Sequence, residues 1–164
     1  MKDYKKEGEI KGSLKIEGNL ILTGDLEVEL EIEVAGYIDC NGYSIEAGGS
    51  IEAGGSIKAG YSIEAGSWIT AGESIKAGES ILSQLWIKCG TTLSAVIYIY
   101  AGIKTWGERT EEDMLIECGK LESGKVEFGN LVETGIEKPE EMIELDGKKY
   151  SKSTLKEALK KYVE

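Results

Sequence analysis

Residues 44–66 read SIEAGGSIEAGGSIKAGYSIEAG. Six letters recur with little change, and self-similarity at a fixed period is the signature of a repeat architecture. With the unit written I-x-A-G-x-S, ten hexads start at Ile45, Ile51, Ile57, Ile63, Ile69, Ile75, Ile81, Ile87, Leu93 and Ile99. Eight carry alanine two places on, and Ser83 and Cys89, the two exceptions, are also small. Residues i and i+2 of a strand share a side, so the Ile/Ala pair faces inward. The glycine that follows is expected to supply a turn through unusual backbone angles. Six residues are too few for a helix, and the Asn-Gly or Asp-Gly turns that independent hairpins favour are missing from the repeats. Short strands of this kind stack as coils, each covering its neighbour's apolar side. Three hexads make a coil of about 18 residues, with coils about 4.8 Å apart.

The expected fold class is therefore all-β, a parallel β-solenoid with three hexads per coil and a short C-terminal strand–turn–helix cap. The inward pairs run backward in degenerate form through Leu14/Ile16, Leu20/Leu22, Leu26/Val28, Ile32/Val34 and Ile38/Cys40, with one extra residue near Asn41. They run forward through Ile116/Cys118, Leu121/Ser123 and Val126/Phe128 at irregular spacing. The organisation read from this is an N-terminal arm at 1–12, a solenoid at 13–138 with regular hexads over 45–102, a loop or excursion at 103–114, and a β-α cap at 139–164. In the cap, MIELDGKKY (142–150) reads as a strand and a turn. Thr154 and Glu157 form a capping box, and Leu155, Ala158, Leu159 and Tyr162 share one helical face.

GSLKIEGNLILTGDL followed by SIEAGGSIEAGGSIKAG resembles the glycine-punctuated β-helices of bactofilins, the polymer-forming bacterial cytoskeletal proteins. It is also similar to the β-helix of FapA-like bacterial proteins. The similarity covers roughly residues 10–102. It implies a right-handed parallel β-helix and self-association, although a closed C-terminal end would hinder end-to-end polymerisation. The hexapeptide acyltransferases share the period, but they place the large aliphatic residue directly before glycine, where this chain has alanine.

Composition argues against catalysis. The 164 residues contain no histidine, which removes the commonest general base near neutral pH and every Ser-His or Cys-His pair. Cys40, Cys89 and Cys118 fall at inward positions without metal-ligand spacing, so neither a metal nor a cofactor is expected and the chain reads as a non-enzyme. No apolar run reaches the length of a membrane helix, and MKDYKKEGEI lacks a signal core. A cytoplasmic protein with no membrane contact is expected.

Function is expected on the outside. Net charge is −11. Residues 139–164 hold six acids and six lysines, leaving 24 of the 30 acids and 13 of the 19 basic residues in 1–138. So acidic a surface repels nucleic acid and favours a basic protein partner. In DLEVELEIEV (25–34), Asp25, Glu27, Glu29, Glu31 and Glu33 alternate with apolar residues. On one strand these carboxylates form a row about 6.6 Å apart, suited to docking a basic surface or imitating a nucleic-acid backbone, the logic of phage and mobile-element inhibitors. The bland reading is a charged face that prevents sheet aggregation. At 18-residue stacking, Trp68 lies under Trp86, and Glu46, Glu64, Leu82 and Tyr100 form one column with Tyr98 beside it. Trp68, Trp86, Leu82, Leu85, Tyr98 and Tyr100 therefore make an apolar and aromatic ladder. It is either exposed as an interface, a homodimer being the simplest outcome, or covered by 103–114 or the cap. A bactofilin-like self-assembling protein is the alternative function.

Overall fold

The computed structural model of the protein describes residues 1–135, together with the backbones of strands Met142–Leu145 and Lys148–Ser151. The chain opens with β1 (Asp3–Ile10), β2 (Leu14–Ile16), β3 (Asn19–Val28), β4 (Ile32–Val34) and β5 (Ile38–Asp39). The regular hexads give β6 (Ile45–Ala47), β7 (Ile51–Ala53), β8 (Ile57–Ala59), β9 (Ile63–Ala65), β10 (Ile69–Ala71), β11 (Ile75–Ala77), β12 (Ile81–Ser83) and β13 (Ile87–Cys89). Then follow β14 (Thr92–Tyr100), β15 (Leu115–Cys118), β16 (Lys120–Phe128), β17 (Asn130–Glu133), β18 (Met142–Leu145) and β19 (Lys148–Ser151).

These strands build a parallel β-solenoid of about seven turns with three faces. The first face stacks β2, β4, β7, β10, β13, β15 and β17 in that order. The second stacks β5, β8 and β11 between the leading halves of β3 and β14. The third stacks β6, β9 and β12 between the trailing halves of the same two long strands. Each solenoid pairing is parallel and in register through the repeats, so Ile51 lies under Ile69 and Ile69 under Ile87.

The inward pair forms the core. Ile45, Ile51, Ile57, Ile63, Ile69, Ile75, Ile81 and Ile87 are fully buried, and the alanines two residues on are nearly so. All three cysteines are free and buried among them. Burial pushes the thiols of Cys40 and Cys89 up to about 12.

The turns work differently from the expectation. None of the repeat glycines from Gly48 to Gly90 has a positive φ; among the described residues the left-handed ones are Asn41, Gly102 in the last hexad and glycines outside the regular hexads. What excludes a side chain is close approach between coils. A Cβ on Gly66 would lie 2.0 Å from the carbonyl oxygen of Gly48, and one on Gly72 2.1 Å from that of Gly54.

Three further features depart from the regular stack. Residues 1–12 are not a free arm: β1 pairs with β3 from Asp3↔Asn19 to Ile10↔Val28 and extends the second and third faces. Tyr4 and Ile10 pack on the core, while Lys5, Lys6, Glu7 and Glu9 line an edge strand interrupted by Gly8 at φ 78°. A charged, bulged edge of this kind resists pairing with another sheet. One coil is 19 residues long, since Leu26 pairs with Ile45 and Ile38 with Ile57. Asn41, at φ 45°, absorbs the extra residue, with its N–H donating to Asp39 Oδ1. Residues 103–114 carry no strand and separate β14 from β15.

β18 and β19 pair antiparallel from Met142↔Ser151 to Leu145↔Lys148, where the sequence predicts a single strand and a turn. The helix expected over 154–162 lies outside the described residues. Among the described residues, no helix is long and apolar enough to cross a membrane.

Candidate surface site on the third face

The acidic row 25–33 does not lie on one face. The chain turns a corner between Val28 and Ile32, and Leu30 points out, half exposed, instead of joining the core. Asp25 and Glu27 therefore belong to the third face and Glu33 to the first. Several of these carboxylates have local partners. Asp25 Oδ1 accepts from the Ser44 N–H at 2.8 Å, Glu29 Oε2 accepts from the Gly12 N–H at 3.0 Å, and Glu33 pairs with Lys15 at 2.7 Å.

A different acidic line takes its place. It runs along the stack instead of along the chain: Glu9 pairs with Glu27, Glu27 with Glu46, and Glu46 with Glu64. Four glutamates from four successive coils thus stand in single file, about 4.8 Å apart at the backbone. The same column continues through Leu82, Tyr100 and Phe128. None of the ion pairs among the described residues, Lys15–Glu33, Lys104–Asp113 and Lys125–Glu127, involves this file. The first face shows the contrast, since there Lys15 sits directly against Glu33.

Crowding leaves its mark on the innermost member. Desolvation, reinforced by Glu46, holds the Glu64 carboxyl above its ordinary range. A carboxyl raised in the fold favours folding most when protonated, below the usual unfolded value near 4.3, and loses that contribution as pH rises through the raised value. Glu64→Gln is therefore expected to unfold at higher urea than the parent at pH 7, with the gap closing as pH falls toward 4. Matched urea titrations across that range check this; an equal gap at both ends would contradict it.

The aromatic residues are placed as their spacing requires. The rings of Trp68 and Trp86 stack with centroids 4.9 Å apart and planes 6° from parallel. They occupy the corner between the third and first faces, where Trp68 Nε1 donates to Glu52 at 2.7 Å and Lys88 lies over the Trp86 ring. Both are half-buried, as are Leu82 and Leu85. Tyr98 and Tyr100 meet edge-to-face at 6.0 Å on the third face. More exposed apolar surface lies elsewhere, at Val96 (71%), Tyr61 (52%) and Trp106 (51%).

The excursion at 103–114 is braced. Gly102 and Lys104 donate from their N–H groups to the carbonyls of Leu85 and Gln84, so it departs directly above the tryptophan corner. Lys104 and Asp113 form an ion pair at 2.6 Å, and Thr110 and Asp113 exchange hydrogen bonds. Hydrogen bonding to Lys104 and to the Thr110 N–H holds the Asp113 carboxyl down at about 2. Arg109, the single arginine in the sequence, donates to the Lys104 carbonyl and lies over the Phe128 ring.

Where the glutamate file gives way to apolar residues, the surface has a notch of about 220 Å³, lined by Glu46, Glu64, Leu82, Gln84 and Ile103 with glycine and alanine backbone between. Gln84 carries the only buried side-chain polar atom among the described residues without a hydrogen-bond partner, its Oε1. No group of three or more metal-ligating side chains is found among the described residues. The sequence did not single out Gln84 or Glu9, and it set Glu27 in a row along the chain instead of in this file. The available signal was the hexad SILSQL (80–85), where leucine, serine and glutamine replace the repeat's Glu, Ala and Gly. No family model matches the chain, and no curated protein and no solved structure is significantly similar to it.

Proposed function

We propose that the chain is a non-catalytic binding protein whose third face engages a basic surface on another protein. The observation that carries this reading is the file of Glu9, Glu27, Glu46 and Glu64, stacked by the solenoid without a cation from the chain itself among the described residues. Like charges held at one-coil spacing repel, and a partner supplying lysine or arginine along the same line relieves that repulsion while setting register and on-rate. In its narrower form the partner's surface is one that otherwise holds nucleic acid, and the solenoid acts as a competitive inhibitor.

The test compares two variants of equal net charge. One reverses the file (Glu27→Lys, Glu46→Lys, Glu64→Lys) and the other the corner (Glu29→Lys, Glu31→Lys, Glu33→Lys). The probe is a fluorescent arginine octamer titrated at low and high salt. The file variant is expected to bind at least 10-fold more weakly than the parent and the corner variant within about threefold, with the parent's affinity falling steeply with salt. Equal losses in both would reduce the effect to bulk charge and overturn the reading. Duplex DNA competing with the solenoid for one basic protein supports the inhibitor form. The alternative, a self-assembling structural protein, predicts filaments or sheets in sedimentation and electron microscopy. The charged, bulged β1 at the solenoid's first edge argues against end-to-end growth there.

A further inference from the structure

We propose that the C-terminal end of the solenoid is a docking surface for the chain's own last segment, residues 152–164, which lies across the open core there. The inference uses other residues than the glutamate file and does not depend on the basic-partner reading.

Each of the three inward columns ends on the last coil. Leu131 tops the column of the first face on Ile116, Leu121 that of the second on Leu93, and Val126 that of the third on Ile99. The three residues beneath have no exposed surface. Leu131 is 36% exposed, and Leu121 and Val126 are only partly buried against the core. Among the described residues, β16 and β17 have no strand on their outer side. The opposite end differs. There β1 covers β3, and Leu14 and Ile16 on the first face stay buried. β1 also carries the charges and the bulge that protect an edge, whereas β17 presents Leu131 and Val132. Apolar surface left at one end of a stack calls for a cover.

The course of the chain names the occupant. Gly135, at the end of the last coil, donates its N–H to the Gly119 carbonyl. Met142 and Ser151 are partners across the β18–β19 hairpin, so the hairpin returns the chain to where it began. Residues 136–141 are then the effective tether of Lys152, a reach of at most about 25 Å. Leu155, Ala158, Leu159 and Tyr162 share one face of the helix predicted over 154–162. A helix of that length is about 13.5 Å long, and the four residues of β17 span about 13 Å, so the apolar stripe matches one side of the three-sided end. The charges agree. Residues 152–164 carry four lysines and two glutamates, while the last coil, 120–133, carries three glutamates and two lysines. A second copy would have to displace a segment that the tether keeps at high local concentration. Seated there, the segment closes the end at which another sheet could add and leaves the side faces for recognition.

The experiment is methyl and aromatic NMR on the labelled full chain, with amide hydrogen exchange. Nuclear Overhauser contacts from the Tyr162 ring and the Leu155 and Leu159 methyls to Leu121, Val126 and Leu131 are expected. They should survive 10-fold dilution and stay within one copy when labelled and unlabelled chains are mixed. Leu155→Asp with Leu159→Asp should abolish them and speed exchange of the β17 amides at least 10-fold. The amides of β7 and β10 should keep their protection in that variant and so report an intact solenoid. Leu131→Asp should release the same segment from the other side. Contacts found only between copies would assign the end to a second chain and overturn the proposal. So would contacts to Val96 and Tyr98 in place of the last coil, no contacts in the parent, or equal β17 exchange in parent and variant. None of these outcomes touches the glutamate file, so the octamer titration judges the basic-partner reading separately.

Discussion

Ile63→Ala is expected to destabilise the protein by about 2–5 kcal/mol, the range for truncating a fully buried aliphatic side chain. Ile63 has no exposed surface and stacks between Ile45 below and Ile81 above. Its loss therefore removes contacts to two coils as well as the transfer free energy of three carbons. A stacked protein has no other core to absorb the gap, because each coil touches only its neighbours. Position along the stack sets the size of the effect. Leu14→Ala should cost visibly less, since Leu14 retains slight exposure and β2 pairs with β4 alone. Urea unfolding of both variants checks this. Equal costs for the two would mean that the coils do not share burial between neighbours in the way the register implies.

That register was legible because the side-chain period of a strand is 2 and the repeat is 6. Ile and Ala two places apart had to face the same way, and 18-residue stacking then placed Trp86 over Trp68. The same rule misled once the coil length changed. Glu27 and Glu46 are 19 residues apart and directly paired, so an 18-residue count cuts the acidic file at Glu46. Its lowest member was hidden for another reason. β1 has only Tyr4 and Ile10 to place on the core, too few for a periodic pattern, and its pairing is settled by the backbone of β3. The run 25–34 shows the opposite error. Alternation continues unbroken through Leu30 in the sequence, but the inward pairs Leu26/Val28 and Ile32/Val34 already fill the strand positions, which leaves Leu30 for the corner. Chain alternation and coil periodicity disagreed there, and the need to close the coil prevailed.

Glycine at the fourth position of the hexad is the second place where a large effect is expected. Gly66→Val should destabilise by about 3 kcal/mol or more, at the upper end of overpacking costs. The reason is proximity instead of backbone angle. A Cβ at Gly66 meets the Gly48 carbonyl oxygen at 2.0 Å and its carbon at 2.7 Å. These are backbone atoms of the next coil, themselves fixed by hydrogen bonds such as Gly66 N–H to Ala47 O at 2.9 Å. They cannot rotate away, so the coils must separate, and separating them breaks the ladder on both adjoining faces. The fifth position supplies the control. Gly49→Ser places its Cβ 2.9 Å from the Glu31 Cγ, a side-chain atom on an exposed residue, and 3.1 Å from the Leu30 carbonyl oxygen, a tight backbone contact but far looser than the 2.0 Å at Gly66. Ser67 and Leu85 already occupy that column in the coils above. Gly49→Ser should therefore unfold within about 1 kcal/mol of the parent, inside the range of ordinary surface substitutions and mild strain. Gln84 sharpens the comparison, since it carries a Cβ in the column of Gly48 and Gly66 only where Ser83 replaces the repeat's alanine and holds its one hydroxyl proton within reach of the Ser67 and Trp86 carbonyls. Gly66→Gln combined with Ala65→Ser should accordingly recover part of the stability that Gly66→Gln loses alone. Thermal or urea unfolding of the four variants decides it: if Gly66→Val and Gly49→Ser cost the same, close approach between coils is not what keeps glycine in the repeat.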